Sequence, residues 1–87
     1  PQIVNQIKNV DLLYHESTFL NEHKELASKT LHSTAEQAAK IASLANVGQL
    51  MLGHFSTRYK NKLLFIEEAK SRFENVVLAK EGETYKI

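Results

Sequence analysis

The chain has 87 residues, no cysteine, four histidines and a formal net charge of +1. One small domain is the most that such a length supports, and chains of this size bury only about 60 to 65% of the surface they expose when unfolded. Without thiols there is neither a disulfide framework nor a thiolate metal site, so any metal must be held by His, Asp or Glu. The near-neutral charge argues against a dedicated nucleic-acid-binding module, although a few well-placed cations suffice to grip a phosphodiester. No apolar stretch approaches the ~20 residues that span a bilayer, and a soluble cytoplasmic protein is the default expectation.

In chain order, Ile3, Val4 and Ile7 fall at helical spacing, so residues 2–8 read as the end of a short helix. Residues 11–15 read as a strand. Its Leu12-Leu13-Tyr14 core is apolar at consecutive positions, the pattern of a strand covered on both faces. Residues 17–31 are polar and irregular, a loop with one helical turn. Ser33-Thr34-Ala35-Glu36 has the form of a capping box, in which the Ser33 hydroxyl accepts from the Glu36 N–H and the Glu36 carboxylate accepts from the Ser33 N–H. The helix it starts has a face of Ala35, Ala38, Ala39, Ile41, Ala42 and Ala45, suited to close approach, and Asn46 and Gly48 end it.

Residues 49–53 read as a short buried strand around Leu50-Met51-Leu52. Ser56 or Thr57 then caps a second helix with Tyr59, Leu63, Ile66 and Phe73 on one face. Val76 to Leu78 form a third strand, Glu81-Gly82 a turn, and residues 84–87 a short last strand. Alternation of this kind implies an α/β layered architecture with crossover connections. Two helices cover one face of the sheet at best. The other face calls for further protein or a second copy of the chain, and association is expected.

Chemistry concentrates in Gly53-His54-Phe55-Ser56-Thr57-Arg58-Tyr59, where an apolar strand gives way to a helix. In open α/β sheets ligands bind outside the carboxyl ends of strands, so His54 stands where a ligand is expected. Arg58 has the planar fork that grips phosphate, and with Lys60 and Lys62 it makes a local basic cluster. Ser56 offers a hydroxyl to phosphate as well as a cap. His32 precedes a helix N-terminus, which disfavours imidazolium and welcomes a phosphate oxygen. His15 and Glu16 point to opposite sides of their strand, with His15 on the packing side. His23 reads as a surface residue, and Phe55 and Tyr59 as core. His15, His23, His32 and His54 show no HxH or i,i+4 spacing, so a self-contained zinc site is not expected.

Three short motifs occur in order, His15-Glu16-Ser17-Thr18, His32-Ser33-Thr34 and HFSTRY over 54–59. They resemble the HEAT (with Ser for Ala), HST and HFSxRY motifs of ribonuclease Z, the tRNA 3′-processing endoribonuclease of the metallo-β-lactamase superfamily. The resemblance runs over essentially the whole chain. It implies the C-terminal part of a metallo-β-lactamase-type αββα sandwich, residues 1–87 forming one segment with a short mixed sheet and two main helices. It also implies a two-zinc site with His54 as one ligand, a catalytic His32 near the leaving 3′-oxygen partnered by Glu16, and precursor tRNA as substrate. The HxHxDH motif that supplies most of the family's ligands does not occur here. The chain is therefore expected to be the C-terminal portion of a longer enzyme, inactive without its N-terminal part. The alternatives are another phosphodiesterase or hydrolase of the superfamily, or a non-catalytic interaction module retaining half the fold.

Overall fold

The computed structural model describes residues 8–79. Residues 2–7 of the helix expected at 2–8, the turn at Glu81-Gly82 and the strand at 84–87 lie outside them. Three strands, β1 (Leu12–Glu16), β2 (Gln49–Gly53) and β3 (Val76–Leu78), form a sheet of that order, parallel at both pairings. A short 3-10 turn (Asn21–His23), α1 (Lys24–Lys29) and α2 (Ala35–Ala45) connect β1 to β2, and α3 (Leu63–Lys70) connects β2 to β3. Leu13 pairs with Leu50, Leu52 with Leu78, and Glu16 with Gly53, so β1 and β2 end side by side.

The core lies between one face of this sheet and the two main helices. Ala35, Ala38, Ala39, Ala42 and Ala45 of α2 are all fully buried, and they pack with Leu50, Leu52, Phe65, Ala69 and Val76. Small side chains on α2 let its backbone approach the sheet closely, while Phe65 fills the wider space under α3. The opposite sheet face carries Leu12 and Tyr14, 49% and 53% exposed. Leu12-Leu13-Tyr14 is thus covered on one side only among the described residues, rather than on both as its sequence suggests. A Cβ at Gly53 would run into the Tyr14 ring on that open face, so a larger residue there would need this exposed side chain to move.

Local signals were displaced where tertiary partners outbid them. The cap of α2 is Thr34 with Gln37, one residue later than Ser33 with Glu36: the Thr34 side chain accepts from the Gln37 N–H, and the Gln37 side chain accepts from the Thr34 N–H. The sequence Ser-Thr-Ala-Glu-Gln satisfies either frame. What decides is that the Ser33 N–H donates to Glu16 and the Glu36 N–H to Glu68.

Similarly, neither Ser56 nor Thr57 starts a helix. Residues 54–62 form an irregular loop, α3 begins at Leu63 without a side-chain cap, and Leu63 is 60% exposed rather than core. Residues 17–31 hold more helix than one turn, since α1 buries Ala27.

Glu68 ties these pieces together. Its two oxygens accept from the Asn21 N–H at 2.8 Å and the Glu36 N–H at 2.9 Å, fastening α3 to the start of both the 3-10 turn and α2. Asn21 Nδ2 donates to Glu36 Oε1 at 2.8 Å, and Arg72 reaches Glu36 Oε2 at 3.3 Å. The Asn21 hydrogen bond first, then Arg72, holds the Glu36 carboxyl below its ordinary pKa. This fixes the segment that carries His32.

Candidate active site

Glu16 closes β1, His54 follows the last residue of β2, and His32 precedes α2, so three parts of the chain meet at the carboxyl end of the sheet. Backbone bonds clamp the meeting point. The Ser17 N–H donates to the Gly53 carbonyl at 2.9 Å, the Ser56 N–H to the Thr18 carbonyl at 2.9 Å, and Phe19 bridges to Thr34. Leu31 and His54 take left-handed conformations, with φ of 60° each. For side chains other than glycine this backbone is costly, and it turns up where packing or function holds it in place. Here it turns both imidazole-bearing segments toward one spot.

Candidate ligand atoms of Glu16, His32 and His54 all lie within 4.8 Å of one another. This cluster was invisible to spacing rules, because its members come from separate elements. His32 Nδ1 stands 3.5 Å from Glu16 Oε2, and the rings of His32 and His54 have centroids 5.4 Å apart. Glu16 and His32 are half-buried and His54 is exposed.

Glu16 accepts from the Ser33 N–H at 2.6 Å on one oxygen, and from the Thr18 N–H at 3.2 Å and the Thr18 hydroxyl at 2.9 Å on the other. Burial, the largest single influence, works to raise its pKa. The hydrogen bonds from the Thr18 hydroxyl, the Ser33 N–H and the Thr18 N–H outweigh it and leave Glu16 below the ordinary value of 4.5. An ionised Glu16 can therefore stabilise a proton on His32.

Thr18 is the residue that sequence reasoning missed. Its hydroxyl touches Glu16, His32 Nδ1 at 3.3 Å and His54 Nδ1 at 2.9 Å. The available signal was its position, two residues after Glu16 on the same turn out of β1.

The other expected residues divide. Ser56 Oγ accepts from Arg58, from its N–H at 3.3 Å and its Nε at 3.4 Å, so it shapes the Arg58 turn instead of capping a helix. The exposed Arg58 guanidinium lies over Phe19, 5.6 Å from the ring centroid, and Phe19 meets the His32 ring edge-on at 6.1 Å. His15 binds the Glu16 carbonyl through Nδ1 at 2.7 Å, on the face opposite the Glu16 side chain. Tyr59 is buried as expected, its hydroxyl accepting from the Leu20 N–H at 3.0 Å. His23 is half-buried against Tyr59 rather than a surface residue.

A ribonuclease Z of Bacteroides fragilis is 49% identical over 94% of this chain, and one of Cytophaga hutchinsonii is 51% identical over 93%. That of Phocaeicola vulgatus is 47% identical over the entire chain. The chain is similar to ribonuclease Z. It spans about a quarter of the length of these curated relatives, 26 to 28%.

Among solved structures, the metallo-β-lactamase fold protein YhfI from Bacillus subtilis matches 94% of the chain with a TM-score of 0.84 and 28% identity, over 33% of its own length. The fold is therefore the corresponding part of a metallo-β-lactamase fold. No family model matches the chain. None of the helices among the described residues is long and apolar enough to cross a membrane.

Proposed function

We propose that this chain is the C-terminal portion of a zinc-dependent endoribonuclease that removes 3′ trailers from precursor tRNA by phosphodiester hydrolysis. The observation that carries the reading is the convergence of Glu16, His32 and His54, one from each motif, at the carboxyl ends of adjacent parallel strands. Identity of 47 to 51% to proteins named ribonuclease Z supports it.

His54 is the metal ligand. It is exposed, and with Nδ1 engaged on Thr18 it has a second ring nitrogen to offer. The Glu16 oxygens already take three donors, which leaves them little capacity for a cation. The donor set fits a metal shared between His54 and ligands from protein outside this chain. Bound there, zinc supplies Lewis-acid neutralisation of charge at the phosphodiester.

His32, with the ionised Glu16 behind it, holds a proton for the departing 3′-oxygen. Arg58, with Ser56 aligning it, grips a substrate phosphate. The N-terminal part of the domain covers the open sheet face, and in its absence that face favours a homo-oligomer. The substrate implies a cytoplasmic protein.

The test is a chimera in which residues 1–87 replace the matching segment of the Cytophaga hutchinsonii ribonuclease Z. It should remove the trailer of a precursor tRNA. His54→Ala should lose zinc and activity together, and His32→Ala should keep zinc while slowing cleavage about 10²-fold or more. A folded, zinc-loaded chimera inert on precursor tRNA would sink the assignment. The likeness to YhfI favours a second reading, another hydrolase on the same fold. Cleavage of a simple phosphodiester but not of precursor tRNA would select it.

A further inference from the structure

We propose that Thr18 is a positioning residue that fixes which nitrogen of His54 is free to coordinate. Its functional meaning rests on the reading of His54 as a metal ligand, but the accounting of hydrogens stands on geometry alone. A threonine hydroxyl has one proton and two lone pairs. The ionised Glu16 can only accept, so the Thr18 proton goes to Glu16 Oε2 at 2.9 Å. Thr18 then presents lone pairs to His54 Nδ1 at 2.9 Å and to His32 Nδ1 at 3.3 Å. The contact to His54 is favourable only if Nδ1 carries the ring hydrogen. In the neutral ring this leaves Nε2, on the far side, as the unprotonated nitrogen.

Thr18 is held in place from several sides. Thr18 is 7% exposed, its N–H is bound to Glu16 Oε2, and its carbonyl accepts from the Ser56 N–H, which anchors the loop bearing His54. The left-handed backbone of His54 sets the ring against the hydroxyl. A free histidine side chain prefers its hydrogen on Nε2, so Thr18 reverses the intrinsic preference. Buried hydrogen bonding behind a ligand imidazole commonly has this role.

The experiment reads the tautomer directly. Long-range proton–nitrogen spectra of the nitrogen-labelled 87-residue chain are recorded about two pH units above the ordinary histidine pKa of ~6.5. His54 should show Nδ1 protonated. In the near-isosteric Thr18→Val the acceptor is lost, and the two ring nitrogens should exchange chemical-shift regions as Nε2–H takes over. Thr18→Ser should restore Nδ1–H. An Nε2–H form of His54 in the unchanged chain overturns the proposal, as does an Nδ1–H form that persists in a folded Thr18→Val. Should Thr18→Val fail to fold, the unchanged chain and Thr18→Ser decide, and Nε2–H in either is fatal. Neither metal nor RNA enters the measurement, so its failure would leave the nuclease reading standing, and an inert chimera would leave this one standing.

Discussion

Glu16→Gln removes a charge and one acceptor from a side chain whose two oxygens are both in use. The Ser33 N–H sits 2.6 Å from one oxygen, and the Thr18 N–H and hydroxyl sit 3.2 and 2.9 Å from the other. A glutamine offers one acceptor and one donor, so either Ser33 or Thr18 must face an NH2 group. Hydrogen bonds to charged groups contribute ~1.5–3 kcal/mol, and an unmatched buried donor costs ~1–3 kcal/mol. The Glu16 side chain is 30% exposed, so water relieves part of this. A loss of about 2 kcal/mol is expected, which for a domain of this size lowers Tm by roughly 8 to 16 °C.

Far-UV circular dichroism melts and urea titration at neutral pH measure that loss. Acid gives a second check. The folded pKa of Glu16 lies below the ordinary 4.5, so its stabilisation is complete above that value and is lost as pH falls through the folded pKa. The stability gap between the unchanged chain and Glu16→Gln should be flat near neutrality and close in acid. A loss under about 0.5 kcal/mol, or a gap indifferent to acid, would refute the claim that three donors hold this carboxylate.

Ser17 is fully buried and its hydroxyl has no hydrogen-bond partner, so Ser17→Ala should be neutral or stabilising by up to ~1 kcal/mol in urea titration. A Cβ at Gly48 would stand 2.6 Å from the Asp11 carbonyl oxygen, a backbone atom that cannot swing away, so Gly48→Ala should cost ~1–3 kcal/mol in the same titration. Leu12 and Tyr14 on the open sheet face should drive the chain into dimers or larger species, visible by sedimentation velocity, and Leu12→Lys should shift the population toward monomer. A chain that stays monomeric at high concentration would argue against that face as a contact surface.

The members of the candidate cluster were legible in the sequence as separate motifs, while the bonds that bring them together were not. Strand ends and helix starts can be read from short windows, and these put Glu16, His32 and His54 at element boundaries. Apolar runs around Leu50 and Val76 and the alanine face of α2 likewise announce a layered core. What a window cannot contain is competition from a distant partner. Ser33 is as good a cap as Thr34 until Glu16, 17 residues away in sequence, takes its N–H. Ser56 even keeps a cap-type bond, its hydroxyl accepting from the Arg58 N–H at 3.3 Å, yet no helix follows until Leu63.

Both losses of local structure occur beside the candidate site, and both involve the turn from Glu16 to Thr18. A helix starting at Ser33 would leave Glu16 without its shortest hydrogen bond. At Ser56 the N–H is held by the Thr18 carbonyl, which ties the loop bearing His54 to the same turn. At Ser33 the departure from the expected cap is therefore one of the contacts that assemble the candidate site. Thr18 was missed for that reason: a hydroxyl just past a strand reads as a turn residue until two imidazoles from other elements are seen to converge on it.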